Sequence, residues 1–140
     1  MNEGPPADVQ AAFLISRLGQ RQSTEFSAQL EPFGLRPKQF AILNIVSLAQ
    51  RPSQQEVGAA MGLDPSGLIA TIDELEERGL LARSRDPEDR RRYALDLTPE
   101  GRKLLTKARA ASRKQAQKLL APLKPSELEA LLVLLRRLAA

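Results

Sequence analysis

Residues 53–101 constrain the fold more than any other stretch of the chain. Ser53 precedes Glu56 by three positions, the spacing of a capping box, and the short apolar face of Val57, Ala60 and Met61 stops at Gly62. Asp64 then offers a cap and Pro65 suits a first helical position, so a second helix starts almost at once. Leu68, Ile72 and Leu75 are spaced to face inward along it, and Gly79 closes it. Short strands are expected at 80–85 and 93–97, where Tyr93, Leu95 and Leu97 alternate with Ala94 and Asp96. An arginine-rich tip lies between them. A tight helix pair followed by a basic hairpin is the pattern of a winged helix-turn-helix.

Helices are expected on both sides of this unit. After a polar, frayed tail at 1–6, one helix runs from Ala7 to about Leu30 and is broken by Pro32 and Gly34. Another begins near Pro37, carries Phe40, Leu43 and Val46, and ends at Arg51-Pro52. Thr98-Pro99 opens a long helix to about Leu120, and Ser126 with Glu129 reads as a capping box for a last helix ending near Leu138. In that last helix Leu128, Leu131, Leu132, Leu135 and Leu138 cover more than one face. A chain of 140 residues builds only a modest core, so a second copy is the expected cover. A helix fully buried within a monomer is the alternative.

Charge and missing residue types narrow the chemistry. The net charge is +4, compatible with a polyanionic partner. The chain has no cysteine and no histidine, which removes disulfides, a thiolate nucleophile, Cys/His zinc sites and a Ser-His-Asp arrangement. No catalytic constellation has diagnostic spacing, and neither a metal nor a cofactor is expected. The N-terminus lacks the apolar core of a signal peptide and no apolar run has membrane-spanning length, so a cytoplasmic protein is expected.

The arginines point to double-stranded DNA. Arg83, Arg85, Arg90, Arg91 and Arg92 concentrate guanidinium groups that suit phosphates and narrow minor grooves. Asp86, Glu88 and Asp89 shape the same loop, and a solvated loop of internal ion pairs is the bland alternative. The second helix of the pair would present Pro65, Ser66, Gly67, Ala70 and Thr71 to a major groove. These side chains are small, so shape readout should outweigh direct readout. Ser53 and Gln54 would hold phosphate at a helix N-terminus. Against this, Asp73, Glu74, Glu76 and Glu77 make the rest of the recognition helix acidic, which phosphate would repel. The cations of the long helix read as a solvated face.

The segment Asp86-Pro-Glu-Asp-Arg-Arg-Arg-Tyr-Ala-Leu-Asp-Leu-Thr-Pro-Glu-Gly101 resembles the wing signature of the MarR family of bacterial transcription regulators. Leu63 to Leu81 resembles that family's recognition helix, and Leu35 to Leu43 the start of its second helix. The resemblance implies a mainly α fold with a small β-hairpin wing, a homodimer, and DNA affinity tuned by a small lipophilic or aromatic molecule. It implies one domain, with about 7–31 and 102–140 as dimerisation helices and about 37–101 as the DNA-binding lobe. Val9, Phe13 and Leu119 then join the leucines of the last helix in the dimer contact. Asp89 and Arg91 match the family's wing pair, and Asp64 matches an acid that can pair with that arginine. Two departures matter. Ile69 and Ala70 stand where many members carry Thr and Arg, so base contacts do not transfer there, and the lack of cysteine removes thiol-based peroxide sensing.

The expectation is therefore a sequence-specific regulator, a repressor, on a pseudo-palindromic operator, with effector-contacting residues unassigned. The rival is a winged-helix protein-interaction module without specific DNA binding, which the acidic half of the recognition helix favours.

Overall fold

The computed structural model describes residues 4–140, so positions 1–3 of the expected N-terminal tail lie outside the described residues. Six α-helices and one hairpin follow in the order α1 (Ala7–Leu30), α2 (Pro37–Leu48), α3 (Gln54–Met61), α4 (Pro65–Glu77), β1 (Leu81–Arg85), β2 (Tyr93–Leu97), α5 (Pro99–Leu120) and α6 (Pro125–Ala139). A single 3-10 turn, Glu31–Phe33, joins α1 to α2. The architecture is a mainly helical winged helix-turn-helix, as expected.

Local signals account for most boundaries. Ser53 Oγ accepts from the Glu56 amide at 3.1 Å, although the Glu56 carboxylate does not return the bond and turns to Arg92 instead. Gly62 ends α3 in the left-handed region at φ 63°, a conformation that costs a residue with a Cβ. Asp64 caps α4 and Thr98 caps α5, each followed by a proline in the first turn. The start of α6 differs from expectation. Pro125 takes the first helical position, and Glu127, not Glu129, closes the cap by accepting from the Lys124 amide at 2.9 Å. Ser126 therefore lies inside the helix.

The strands pair antiparallel from Leu81 opposite Leu97 to Arg85 opposite Tyr93. Leu80, expected in the first strand, is buried just before it. The segment before α3 adds a third partner, with a bridge from Ser53 to Ala94 and a Leu95 amide bond to the Pro52 carbonyl at 3.0 Å. One core unites these elements: Leu30, Ile42, Leu43, Val57, Ile72, Leu75, Leu95 and Leu105 are buried in the same cluster. Phe26 meets Phe40 edge-on with ring centroids 5.4 Å apart, which seats the C-terminal end of α1 on α2.

The N-terminal part of α1 and all of α6 lie outside this core, although α1 meets α5 where Gln22 and Gln115 exchange bonds at 3.0 and 2.7 Å. Leu30 is the only buried residue of α1, and α6 has none. No described helix is long and apolar enough to cross a membrane.

The hairpin is latched to the start of α5. The Thr98 amide donates to the Leu80 carbonyl at 3.1 Å and the Thr98 hydroxyl to the Gly79 carbonyl at 2.5 Å. This brings the chain so close that a Cβ on Gly101 would lie 2.1 Å from the Leu80 carbonyl oxygen. The clash is with backbone, so relief requires moving the wing or the helix. Gly101→Ala is expected to cost about 3 kcal/mol of unfolding free energy, the upper end of overpacking effects, read from urea unfolding.

Candidate nucleic-acid interface

The exposed start of α4 is narrow and nearly uncharged. Pro65, Ser66, Ile69 and Ala70 are exposed and Gly67 is half-buried. Asp64 organises this end: its carboxylate accepts from the Ser66 hydroxyl and, at 3.4 Å, from the Gly67 amide. Those two bonds, the hydroxyl first, hold its pKa below the ordinary carboxylate value. Thr71 does not belong to this face. It is buried, and its hydroxyl donates to the Gly67 carbonyl at 2.9 Å, one turn back. The exposed side chains at this end are therefore Pro65, Ser66, Ile69 and Ala70. Ile69, to which the family resemblance transferred no base contact, is 41% exposed on this face. Lys38 went unremarked in the sequence; it is exposed at the start of α2, and its charge also lowers the Asp64 pKa.

Three of the four acids in the second half of α4 are countered within the chain, while Glu77 is exposed and in no ion pair among the described residues. Arg83 reaches back from β1 to Asp73 at 2.6 Å and Glu76 at 3.7 Å, with its side chain only 17% exposed. Its backbone amide adds a bond to Glu76 at 3.1 Å, and its Nε donates to Gln54 at 3.0 Å. Arg36, at the start of α2, pairs with Glu74, which also accepts from Gln39 at 3.0 Å. Arg83 and Gln54, both expected to meet DNA, are thus turned inward as braces between the wing and the two helices. The repulsion expected from these acids is reduced accordingly.

The wing arginines divide into two sets. Arg92 donates through Nη2 to Ser53 Oγ at 3.0 Å and to Glu56 at 3.2 Å. Ser53 is buried and already caps α3, so its hydroxyl is not open to phosphate. Arg85 donates to the Arg90 carbonyl at 2.7 Å and lies over the Tyr93 ring at 5.3 Å. These bonds shape the loop. Arg90 and Arg91 are exposed and project from it. The expected Asp64–Arg91 pair is not made: Arg91 meets Asp89 at 3.3 Å with its side chain 91% exposed, while Asp64 is occupied by its own helix. Asp89 also accepts from the Arg91 amide at 3.1 Å, so it does organise the tip.

Arg51 anchors the wing from the other side. It holds a φ of 47°, unusual for a residue with a side chain, and pairs with Asp96 at 3.1 Å and Ser84 at 2.8 Å. Neither spacing nor composition signals this interaction.

The residues expected at a dimer contact remain uncovered in the single chain. Val9 and Phe13 are 54% and 61% exposed, and Leu128, Leu132, Leu135 and Leu138 are all exposed. Leu131 and Leu119 are half-buried. Among the described residues no group of three or more Asp or Glu side chains is placed to hold a metal ion.

Comparison with known proteins fits this geometry. A MarR family sequence model matches residues 33–92. A curated relative from Thauera aromatica, named for transcriptional regulation of the hcr operon, is 35% identical over 105 residues, or 75% of this chain. The match spans 63% of that relative's length. A solved MarR family transcriptional regulator from Rhodococcus sp. RHA1 is 31% identical, with a TM-score of 0.83 over 97% of this chain and 96% of its own. CouR of Rhodococcus jostii RHA1, solved with p-coumaroyl-CoA, has the same identity, TM-score and coverage. CouR on a 23-mer DNA duplex is 28% identical, with a TM-score of 0.86 over 99% of this chain and 100% of that one.

Proposed function

The chain belongs to the MarR family of transcriptional regulators, and from that premise we propose a DNA-binding repressor that acts as a homodimer and is released by an aromatic ligand. One observation carries the reading. Arg83 and Arg36 counter Asp73, Glu76 and Glu74, so the surface α4 offers is Ser66, Ile69 and Ala70, flanked by Arg90 and Arg91. That surface suits a major groove read by shape and methyl contact, with the wing on the backbone or the adjacent minor groove. The same pairs weaken the interaction-module alternative, whose support was an uncompensated acidic helix.

The division of labour follows from burial. Residues 37–101 form the DNA-binding lobe. Residues 7–31 and 102–140 form the dimerisation region, supported by the uncovered apolar faces of α1 and α6. Two lobes related by a two-fold axis then read a pseudo-palindromic operator. A binding protein on chromosomal DNA acts in the cytoplasm and needs no catalytic group. The ligand class rests on CouR, solved with an aromatic acyl thioester.

Selection of sheared genomic DNA on the purified protein tests this reading. It should enrich a few pseudo-palindromic sites, whereas uniform recovery of all fragments would count against it. With no cysteine or histidine in the chain, operator binding should also be unchanged by peroxide or chelators. A mobility-shift titration checks this, and loss of binding restored by a thiol reductant would overturn it.

A further inference from the structure

The first two turns of α4 hold little that can donate a hydrogen bond to a base edge. The Ser66 hydroxyl donates to the Asp64 carboxylate. The Thr71 hydroxyl is buried and donates to the Gly67 carbonyl at 2.9 Å. Pro65, Gly67, Leu68, Ile69 and Ala70 have no hydrogen-bonding group in their side chains. Among the described residues, the stretch from Pro65 to Thr71 therefore offers no free side-chain donor. It also contains no Arg, Lys, Asn or Gln, the side chains that form bidentate bonds to guanine or adenine.

The segment does offer one projecting apolar side chain. Ser66, Ile69, Ala70 and Asp73 share a face at helical spacing, away from the buried Leu68, Ile72 and Leu75. Asp73 is drawn to Arg83 at 2.6 Å, and Ser66 is turned to its own cap. Ala70 ends at its Cβ. Ile69 is 41% exposed between Ser66 and Asp73 along this face. A single exposed isoleucine is ordinary by itself, and its setting is what gives it a role. Branching at Cβ fixes its first torsion in a helix, so its methyl groups are pre-positioned. The charges available for phosphate belong to other elements. Lys38, exposed at the start of α2, is near enough for its charge to reach Asp64, and Arg90 and Arg91 project from the wing. Phosphate contacts orient a helix on the duplex, and the side chain at the base edges selects the sequence.

Only one base carries an apolar group at its major-groove edge: thymine, through its C5-methyl. An isoleucine has no other specific attraction to offer a base edge. We propose that Ile69 is the specificity-determining residue of α4 and reads the C5-methyl of one thymine in each half-site of the operator. The inference rests on the DNA-binding reading above and names the chemical group that this surface selects. Ser66 and Ala70 are short, so they do not hold the helix off the bases. The contact is lost with uracil, which has no C5-methyl, and is regained with 5-methylcytosine, which carries one at the same place in the groove. The recognised feature is a methyl group and not a base pair.

A duplex recovered by the genomic selection above is the probe. Each of its thymines is replaced in turn by deoxyuridine, which keeps the base pair and removes only the methyl. Fluorescence anisotropy with the full-length protein should find one symmetric thymine per half-site whose replacement weakens binding about fourfold, the effect of losing one buried methyl, and about sixteenfold when both half-sites are changed. At that position a 5-methylcytosine–guanine pair should bind about fourfold tighter than cytosine–guanine. Ile69→Ala should bind the thymine and uracil duplexes within about twofold of each other, as expected of groups no longer in contact. The substitution is on an exposed helical position, so the melting temperature should not fall. Wild-type protein indifferent to every uracil, an Ile69→Ala variant that keeps the thymine preference, or cytosine binding as well as its methylated form would each overturn the proposal. A preferred site without methyl sensitivity sinks this inference alone, whereas a selection that recovers no preferred site sinks the regulator reading with it.

Discussion

Leu128→Glu combined with Leu135→Glu is expected to yield a folded monomer that no longer binds operator DNA. Both leucines are exposed on α6, a helix with no buried residue in the single chain. In an isologous interface each substitution acts twice, so the pair removes four buried side chains at about 1.5–3 kcal/mol each. The sum, roughly 6–12 kcal/mol, raises the dimer dissociation constant by more than four decades. Carboxylates in an apolar interface add to this. The lobe core contains no residue of α6, so far-ultraviolet circular dichroism and the urea transition of the lobe should survive. Sedimentation velocity measures the result. A variant that remains dimeric at micromolar concentration would remove α6 from the interface.

The wing arginines should separate into two phenotypes. Arg90→Ala with Arg91→Ala removes the projecting pair, leaving folding stability within about 0.5 kcal/mol of wild type, as for surface changes generally. DNA affinity should fall for every sequence, with the log–log salt slope reduced by about two, one per phosphate neutralised. Arg83→Ala should behave differently. Its side chain is 17% exposed and bridges Asp73 and Glu76, so its loss leaves two carboxylates without their partner on α4. The expected cost is about 1–2 kcal/mol of stability, discounted because both acids are partly exposed. Operator affinity should also drop, because the uncovered acids repel phosphate. Urea unfolding beside fluorescence anisotropy distinguishes the two classes, and equal behaviour of both variants in both assays would contradict the division.

That division marks the boundary of what could be read from the chain. Helix limits were legible because their signals are local: Ser53, Asp64-Pro65 and Thr98-Pro99 each satisfy an amide within three residues. Even there a choice of frame misled, and Ser126 with Glu129 concealed the cap made by Lys124 and Glu127 just before it. The roles of the arginines were not legible. Arg83, Arg90 and Arg92 look equivalent in a basic loop, yet Arg83 finds Gln54 and Arg92 finds Ser53, partners brought near only by the tertiary fold. Thr71 has the spacing of a groove-facing residue but turns its hydroxyl onto its own helix. Gln115 reads as one more polar position among cations until Gln22 of α1 is opposite it. Chain-distant partners set the orientation of Arg83, Arg92 and Gln115, and no periodicity reports them.

The central claim is specific DNA recognition by a two-fold pair of winged lobes, and the ratio of operator to scrambled-duplex affinity tests it most directly. Measured by fluorescence anisotropy from ~50 to ~200 mM salt, both affinities should fall steeply as counterions rebind. The ratio should stay at about 10³ or more, and the protected half-sites should lie about one helical turn, roughly 34–36 Å, apart. A ratio near one across the titration would mean that the basic wing merely attracts polyanions, and the account would be wrong.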